Sequence, residues 1–224
     1  MKAQPSIAVF GGSFNPVHEG HLGIVRALAD DAELQAVIVV PARCSPYKQA
    51  VPPLPDAVRW NMLRHAMQGL RGVMLSDVEL TRPAPSYTID TLRALASQLP
   101  AARLLLALGW DTFAEFAGWH RAAEILSLAG LIVFDRAHLD RGEPAAIPPS
   151  ADWARLLPPP WDAQARPRDG RHLELPDGRV LLRHLPTALP SVAARDILLR
   201  HSLEDVPAGA REVLAAYWGR ASAD

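Results

Sequence analysis

Residues 7–22 read Ile7-Ala-Val-Phe-Gly-Gly-Ser-Phe-Asn-Pro-Val-His-Glu-Gly-His-Leu22. The apolar run Ile7 to Phe10 predicts a strand, Gly11 and Gly12 a turn, and the residues from about His18 a helix. Glycines at the end of a strand let the backbone approach a phosphate without side-chain obstruction. A helix start aims N–H groups at the same place, so an anion is expected there. His18 and His21 are three residues apart, which puts both rings on one face of the first helical turn, with Gly20 keeping the surface low between them. Two imidazole donors can then grip one phosphate.

Outward from this stretch, short β-rich runs alternate with longer helix-like ones: Ala36 to Val40, Gly72 to Leu75, Leu104 to Leu108 and Leu131 to Phe134. That rhythm predicts an α/β fold, a Rossmann-like doubly wound parallel sheet. The run Arg103 to Leu108 is apolar on both faces, as a central strand covered by helices should be. Residues 136–189 break the rhythm with Pro144, Pro148, Pro149 and the Pro158–Pro160 triplet, and are expected to form an irregular insertion. Within it, His172 to Leu175, the turn formers Pro176, Asp177 and Gly178, and Arg179 to Leu182 suggest a hairpin or a loop feeding the last sheet strand. Helices are expected from Ser191 to about His201 and from Ala208 to Trp218, the second with Val213, Leu214 and Tyr217 on one face. The whole, 1–224, is expected to be one domain, with 136–189 inserted in it and 190–224 forming C-terminal helices.

With 224 residues, 49% of them hydrophobic and 21% charged, the chain can bury a sizeable core. Its 23 Lys+Arg against 24 Asp+Glu leave a net charge of −1, so no global field draws it to a nucleic acid polymer or an anionic membrane, and phosphate binding must be local. The single cysteine, Cys44, forms no internal disulfide and suits a reducing compartment, with the cytoplasm as the simplest address. It is read as an inert small residue rather than a perturbed thiol. Residues 1–25 lack the unbroken apolar core of a secretory signal, and no run reaches membrane-spanning length.

Other motif readings fail on spacing. A zinc-protease helix needs its two histidines four apart, and here they are three apart. The G-x-G-x-x-G dinucleotide fingerprint and the G-x-x-x-x-G-K phosphate loop are both absent, which removes support for ordinary Rossmann dehydrogenases and P-loop kinases. No protein metal site is expected.

The stretch Gly11-Gly-Ser-Phe-Asn-Pro-Val-His-Glu-Gly-His21 resembles the glycine-to-H-x-G-H signature of the nucleotidyltransferase superfamily, which contains adenylyl- and cytidylyltransferases. Further segments are similar to bacterial nicotinate-nucleotide adenylyltransferases: Pro41 to Lys48, ending Pro46-Tyr-Lys48; Pro85-Ser-Tyr-Thr-Ile-Asp-Thr-Leu92; Gly109-Trp-Asp111; and Trp119-His-Arg121 before an apolar helix. They fall in family order across residues 7–134. The resemblance implies transfer of AMP from ATP to nicotinate mononucleotide, with release of pyrophosphate and no covalent intermediate.

It also implies roles. Gly11, Gly12, Ser13 and Phe14 would hold ATP, with His18 and His21 at its phosphates and Mg²⁺ bound through those phosphates. Lys48 and Arg195 would make further phosphate contacts, Lys48 on the mononucleotide side as well, and Ser191 would also meet ATP. Gly109 and Asp111 would meet the adenosine, Asp111 at its ribose, although Asp111 could instead cap a helix. Trp119 would stack on the pyridine ring, backbone N–H groups near Thr88 and His120 would hold its carboxylate, and Tyr87 would shape that wall.

One segment departs from the family, whose I-S-S-T-x-I-R reads Leu189-Pro-Ser-Val-Ala-Ala-Arg195 here, so that Val192 replaces a threonine hydroxyl. Nicotinamide mononucleotide or phosphopantetheine are the competing acceptors. A catalytically silent nucleotide-binding or scaffold protein is the reading from another class. The oligomeric state is open.

Overall fold

A central parallel sheet is built because four of its strands are apolar on both faces and need cover on both sides, with a short fifth strand at the edge. In the computed structural model, which describes residues 4–44, 53–135, 150–177, 179–185 and 194–221, these are β1 (Ser6–Gly12), β2 (Ala36–Pro41), β3 (Val73–Leu75), β4 (Arg103–Gly109) and β5 (Ala129–Phe134). Side chains alternate between two cores. Ile7, Val9, Leu104, Leu106, Leu108, Leu131 and Val133 point to one, together with Ile89, Leu92 and Leu95 of α3 (Thr88–Gln98) and Ile125 and Leu126 of α5 (Ala122–Leu128). Ala8, Phe10, Leu105, Ala107, Ile132 and Phe134 point to the other, with α1 (Glu19–Ala29), α2 (Asp56–Ala66) and α9 (Ala208–Ala221). Each such leucine or isoleucine contributes about 1.5–3 kcal/mol by leaving water.

The strand order is β3-β2-β1-β4-β5-β8-β7-β6, where β6 is Arg166–Asp169, β7 is His172–Glu174 and β8 is Val180–Leu185. The first six strands run parallel, and the predicted Leu104–Leu108 strand lies inside β4, between β1 and β5. The chain moves outward from β1 to β3 and then returns to lay β4 on the other side of β1. That reversal opens a crevice at the carboxyl ends of β1 and β4, where open α/β sheets hold ligands.

The expected Rossmann-like α/β sheet is present and gains an antiparallel edge, because β6 (Arg166–Asp169) and β7 (His172–Glu174) pair antiparallel there. The stretch read as irregular carries regular elements within its described residues, among them the expected hairpin from His172 to Leu182. It carries α6 (Ser150–Trp153), α7 (Trp161–Gln164), β6, β7 and β8 (Val180–Leu185), and β8 joins β5 as a parallel sheet strand. The prolines punctuate that stretch instead of dissolving it: Trp153, Leu157, Ala165, Leu173 and Leu175 are all buried in the first core. Residues 136–149 and 186–193 lie outside the described residues.

The C-terminal part returns to the second core. After α8 (Ala194–Arg200), Leu214 of α9 is buried there, with Val213 and Tyr217 partly buried beside it. Gly209 lets α9 sit against the end of α2, since a Cβ at that position would stand 2.5 Å from the carbonyl oxygen of His65. The same region touches the front of the sheet, where the N–H of Glu19 donates to the carbonyl of Asp205 at 2.7 Å.

Candidate active site

Gly11 and Gly12 end β1, paired with Val40 and Pro41 of β2, so they belong to the strand edge rather than to the turn itself. The turn follows them. Its tightest residue is Phe14, at φ +45, a left-handed backbone that costs a bulky residue about 1–3 kcal/mol. The ring offsets this by being fully buried, at 5.7 Å from Phe10 and 4.8 Å from His21 between centroids. The glycines have separate reasons. A Cβ on Gly11 would have only the Val40 carbonyl oxygen near it, at 3.9 Å, whereas a Cβ on Gly12 would meet the Phe14 ring at 3.1 Å.

His18 occupies the N-cap of α1, with extended backbone. Its Nδ1 accepts the N–H of His21, and the N–H of His18 donates to Nδ1 of His21, each at 3.3 Å. This is a capping box made of two histidines, and it stacks the rings at 3.6 Å and 24°. Because both Nδ1 atoms accept, the neutral rings carry their protons on Nε2. The geometry amends the anion expectation. The N–H groups of Glu19 and His21 are already taken, by Asp205 and by His18, so the backbone contribution at this helix start narrows to Gly20, beside the two imidazoles.

Gly109 ends β4 next to β1 and is the N-cap of α4 (Trp110–Ala114). Asp111 is therefore the second residue of α4, exposed, and the capping role belongs to Gly109. Both residues stand at the crevice where β1 and β4 diverge.

The third group surrounds the start of α3. Tyr87 is its N-cap residue and makes no side-chain cap, so Thr88 opens the helix with the backbone donors of a helix start. The Tyr87 ring lies against that of His120, at 4.4 Å between centroids. Trp119, half-buried, packs on Phe116 at 5.5 Å, and Arg121 at φ +57 turns the chain into α5. Tyr87 and His120, 33 positions apart in sequence (120 − 87), are thus brought together.

Lys48, Ser191 and Val192 lie outside the described residues. Arg195 falls on α8, but its side chain is outside them too. Cys44 is exposed, and its carbonyl accepts the N–H of Ser86 at 3.0 Å.

Two buried charges were missed by the sequence reading. Arg59 of α2 is 1% exposed and donates to the carbonyl of Ser13 at 2.7 Å and to Asp56 at 2.6 Å. Its signal was legible as an arginine on the apolar stripe with Met62, Leu63 and Ala66. Glu79 accepts the Thr91 hydroxyl at 2.6 Å, and Arg82 donates to that same hydroxyl at 2.7 Å. Burial pushes the Glu79 carboxyl above its usual range, against the pull of Thr91, Ser86, Arg82 and Arg59. The Ser86 hydroxyl in turn accepts the N–H of Arg43 at 3.1 Å, tying the start of α3 to the end of β2.

The cytidylyltransferase-like family model matches residues 9–168, from the middle of β1 into β6. This chain belongs to that family. A Gloeobacter violaceus protein named probable nicotinate-nucleotide adenylyltransferase is 43% identical over 130 residues, 58% of this chain and 63% of its own length. A Thermomicrobium roseum protein of the same name is 32% identical over 197 residues, 87% of this chain and 91% of its own. The matches to the Gloeobacter violaceus protein and to one from Chromohalobacter salexigens span 63% and 64% of those relatives, under two thirds of their length. Among solved structures, Plasmodium falciparum nicotinic acid mononucleotide adenylyltransferase complexed with NaAD is 13% identical. It aligns with a TM-score of 0.66 over 95% of this chain and 96% of its own, a likeness of fold. Among the described residues no helix is long and apolar enough to cross a membrane.

Proposed function

We propose that this protein transfers the AMP of ATP to nicotinate mononucleotide, giving nicotinate adenine dinucleotide and pyrophosphate. The observation that carries the reading is the stacked His18–His21 pair beside the switch point of the sheet, each ring protonated at Nε2 by the bond its Nδ1 accepts. The names of the relatives support the substrate. The reading also explains why a helix start, at Thr88, stands with Trp119 and His120 on the acceptor side: a carboxylate is held by backbone donors and a pyridine by an aromatic face.

The reaction is an in-line displacement at the α-phosphorus. The attacking oxygen belongs to the mononucleotide phosphate, whose second pKa lies near about 6, so it is largely ionised at neutral pH and no general base is required. The protein must align two mutually repelling anions and meet the charge that grows on the departing pyrophosphate. His18 and His21 donate to that charge, and Lys48 and Arg195 add positive charge from their segments. The open Gly11 edge admits the triphosphate, and Asp111 accepts from the adenosine ribose. Rings that carry their protons on Nε2 and accept at Nδ1 suit phosphate oxygens rather than a metal, which fits Mg²⁺ held by ATP itself. Such an ion neutralises phosphate charge. A reducing, cytoplasmic setting suits the lone Cys44.

The test is pyrophosphate release from ATP with nicotinate mononucleotide, nicotinamide mononucleotide or phosphopantetheine as acceptor. The acid mononucleotide is expected to have the highest kcat/KM, by up to about 10⁴-fold over the amide, because donors built for a carboxylate are left unpaired by a carboxamide. Equal values for acid and amide would remove the carboxylate-binding wall, and no release with any acceptor would favour a silent nucleotide-binding protein.

A further inference from the structure

We propose that Arg59 is a positioning residue for this reaction, locking the phosphate-facing turn and both flanks of the segment between Arg43 and Leu54 into one arrangement. The proposal rests on the adenylyl-transfer reading. Arg59 sits one turn into α2, fully buried, where a guanidinium survives only if its N–H groups are met. They are: Nε donates to the carbonyl of Leu54 at 3.2 Å, Nη1 to that of Ser13 at 2.7 Å, and Nη2 to Asp56 at 2.6 Å, with a longer contact to the carbonyl of Arg43 at 3.5 Å.

The choice of acceptors separates positioning from packing. Filling the core would need only a leucine or methionine, and pairing Asp56 would need one N–H. Instead the planar fork spreads over three backbone carbonyls, from the turn after β1, from the exit of β2, and from the entry to α2. Other bonds reinforce this junction. The N–H of Leu54 donates to the side chain of Asn15 at 2.7 Å, and that of Ala42 to the carbonyl of Gly12 at 2.8 Å. The turn so held contains Phe14, whose left-handed backbone persists only where its surroundings over-determine it. By the resemblance, the segment between Arg43 and Leu54 carries the phosphate-contacting Lys48. Arg59 thus sets the turn that takes ATP against the flanks of the segment that takes the other phosphate charges. A displacement of about 1 Å between such groups can cost about 10²-fold in rate.

Arg59→Lys tests this, because an ammonium keeps the charge and the Asp56 pair but cannot span the carbonyls. The parent and variant are compared by steady-state kinetics with ATP and nicotinate mononucleotide, by thermal melting, and by hydrogen exchange at the Leu54 amide against the Leu106 amide in β4. Expected are a fall in kcat of about 10- to 100-fold with much smaller changes in either KM, and faster exchange at Leu54 but not at Leu106, in a protein that melts well above the assay temperature. A folded variant with parental kcat, or with parental Leu54 exchange, overturns the proposal. Should Arg59→Lys fail to fold, Asp56→Asn, at a partly exposed position, removes the charge that aims the guanidinium. Faster Leu54 exchange with lowered kcat then supports the clamp, and parental values for either overturn it. A parent that releases no pyrophosphate with nicotinate mononucleotide refutes the functional reading instead, while Leu54 exchange still decides whether Arg59 holds the junction.

Discussion

The backbone N–H of His18 donates to Nδ1 of His21 and the N–H of His21 donates to Nδ1 of His18, both at 3.3 Å, so the backbone of each residue fixes the tautomer and angle of the other's ring. One pair of side chains therefore caps α1 and presents two Nε2–H donors. In the proposed reaction stability and catalysis are entangled in it, and substitution can part them.

His18→Asn keeps a good N-cap while removing the imidazole, whereas His18→Ala removes both. The asparagine variant is expected to melt close to the parent, and the alanine variant lower, by a cap worth about 1 kcal/mol. Both should lose about 10²–10³ in kcat, the cost of one donor to developing charge. If specific activity follows the melting temperature across the two variants, His18 is a cap and nothing more.

Gly11 and Gly12 should respond differently to alanine. At Gly11 the added methyl finds room in the protein, so Gly11→Ala is expected to fold normally and to raise KM for ATP by obstructing the phosphate. At Gly12 the methyl lies 3.1 Å from the Phe14 ring, so Gly12→Ala should lower the melting temperature as the ring gives way. Unaltered ATP binding in a folded Gly11→Ala variant would show that the open strand edge does not face the nucleotide.

Glu79 predicts a pH effect. Burial raises its carboxyl pKa above the ordinary 4.5, so the folded state holds the proton more tightly than the unfolded chain. That contribution to stability is complete below the unfolded value and is lost as pH rises through the raised folded value. Glu79→Gln cannot ionise, so its melting temperature relative to the parent should climb as pH rises from the ordinary 4.5 through the raised folded value. A difference that stays flat over this range would mean that Thr91, Ser86 and Arg82 fully offset the burial.

Arg183 of β8 meets Asp31, just beyond α1, through two bonds at 3.2 and 2.5 Å, with side chains only 12% and 9% exposed. Asp31→Ala leaves that guanidinium only Glu33, an exposed carboxylate 3.3 Å away, and should cost up to about 3 kcal/mol by urea unfolding. The double variant Asp31→Ala with Arg183→Met should recover much of the loss, since neither charge then remains buried. Additive losses would place the pair among ordinary surface ion pairs.

The sequence by itself determined the strands and which residues are available to the proposed chemistry. Strands apolar on both faces can only be buried in a helix-covered sheet, so β1, β2, β4 and β5 were readable from their apolar runs. The glycines and the histidine spacing carry their chemistry within one short stretch, where chain geometry decides what faces what. Tertiary structure decided what depends on distant partners. That β6 and β7 pair antiparallel at the far edge, that Asp111 leaves the cap to Gly109, and that Tyr87 rests on His120 are outcomes of register and packing between remote segments. Arg59 is the clearest case. Its place on an apolar stripe was visible, but its meaning lies in carbonyls of Ser13, Arg43 and Leu54. A backbone carbonyl has no residue type, so no sequence pattern marks which one a buried guanidinium will hold.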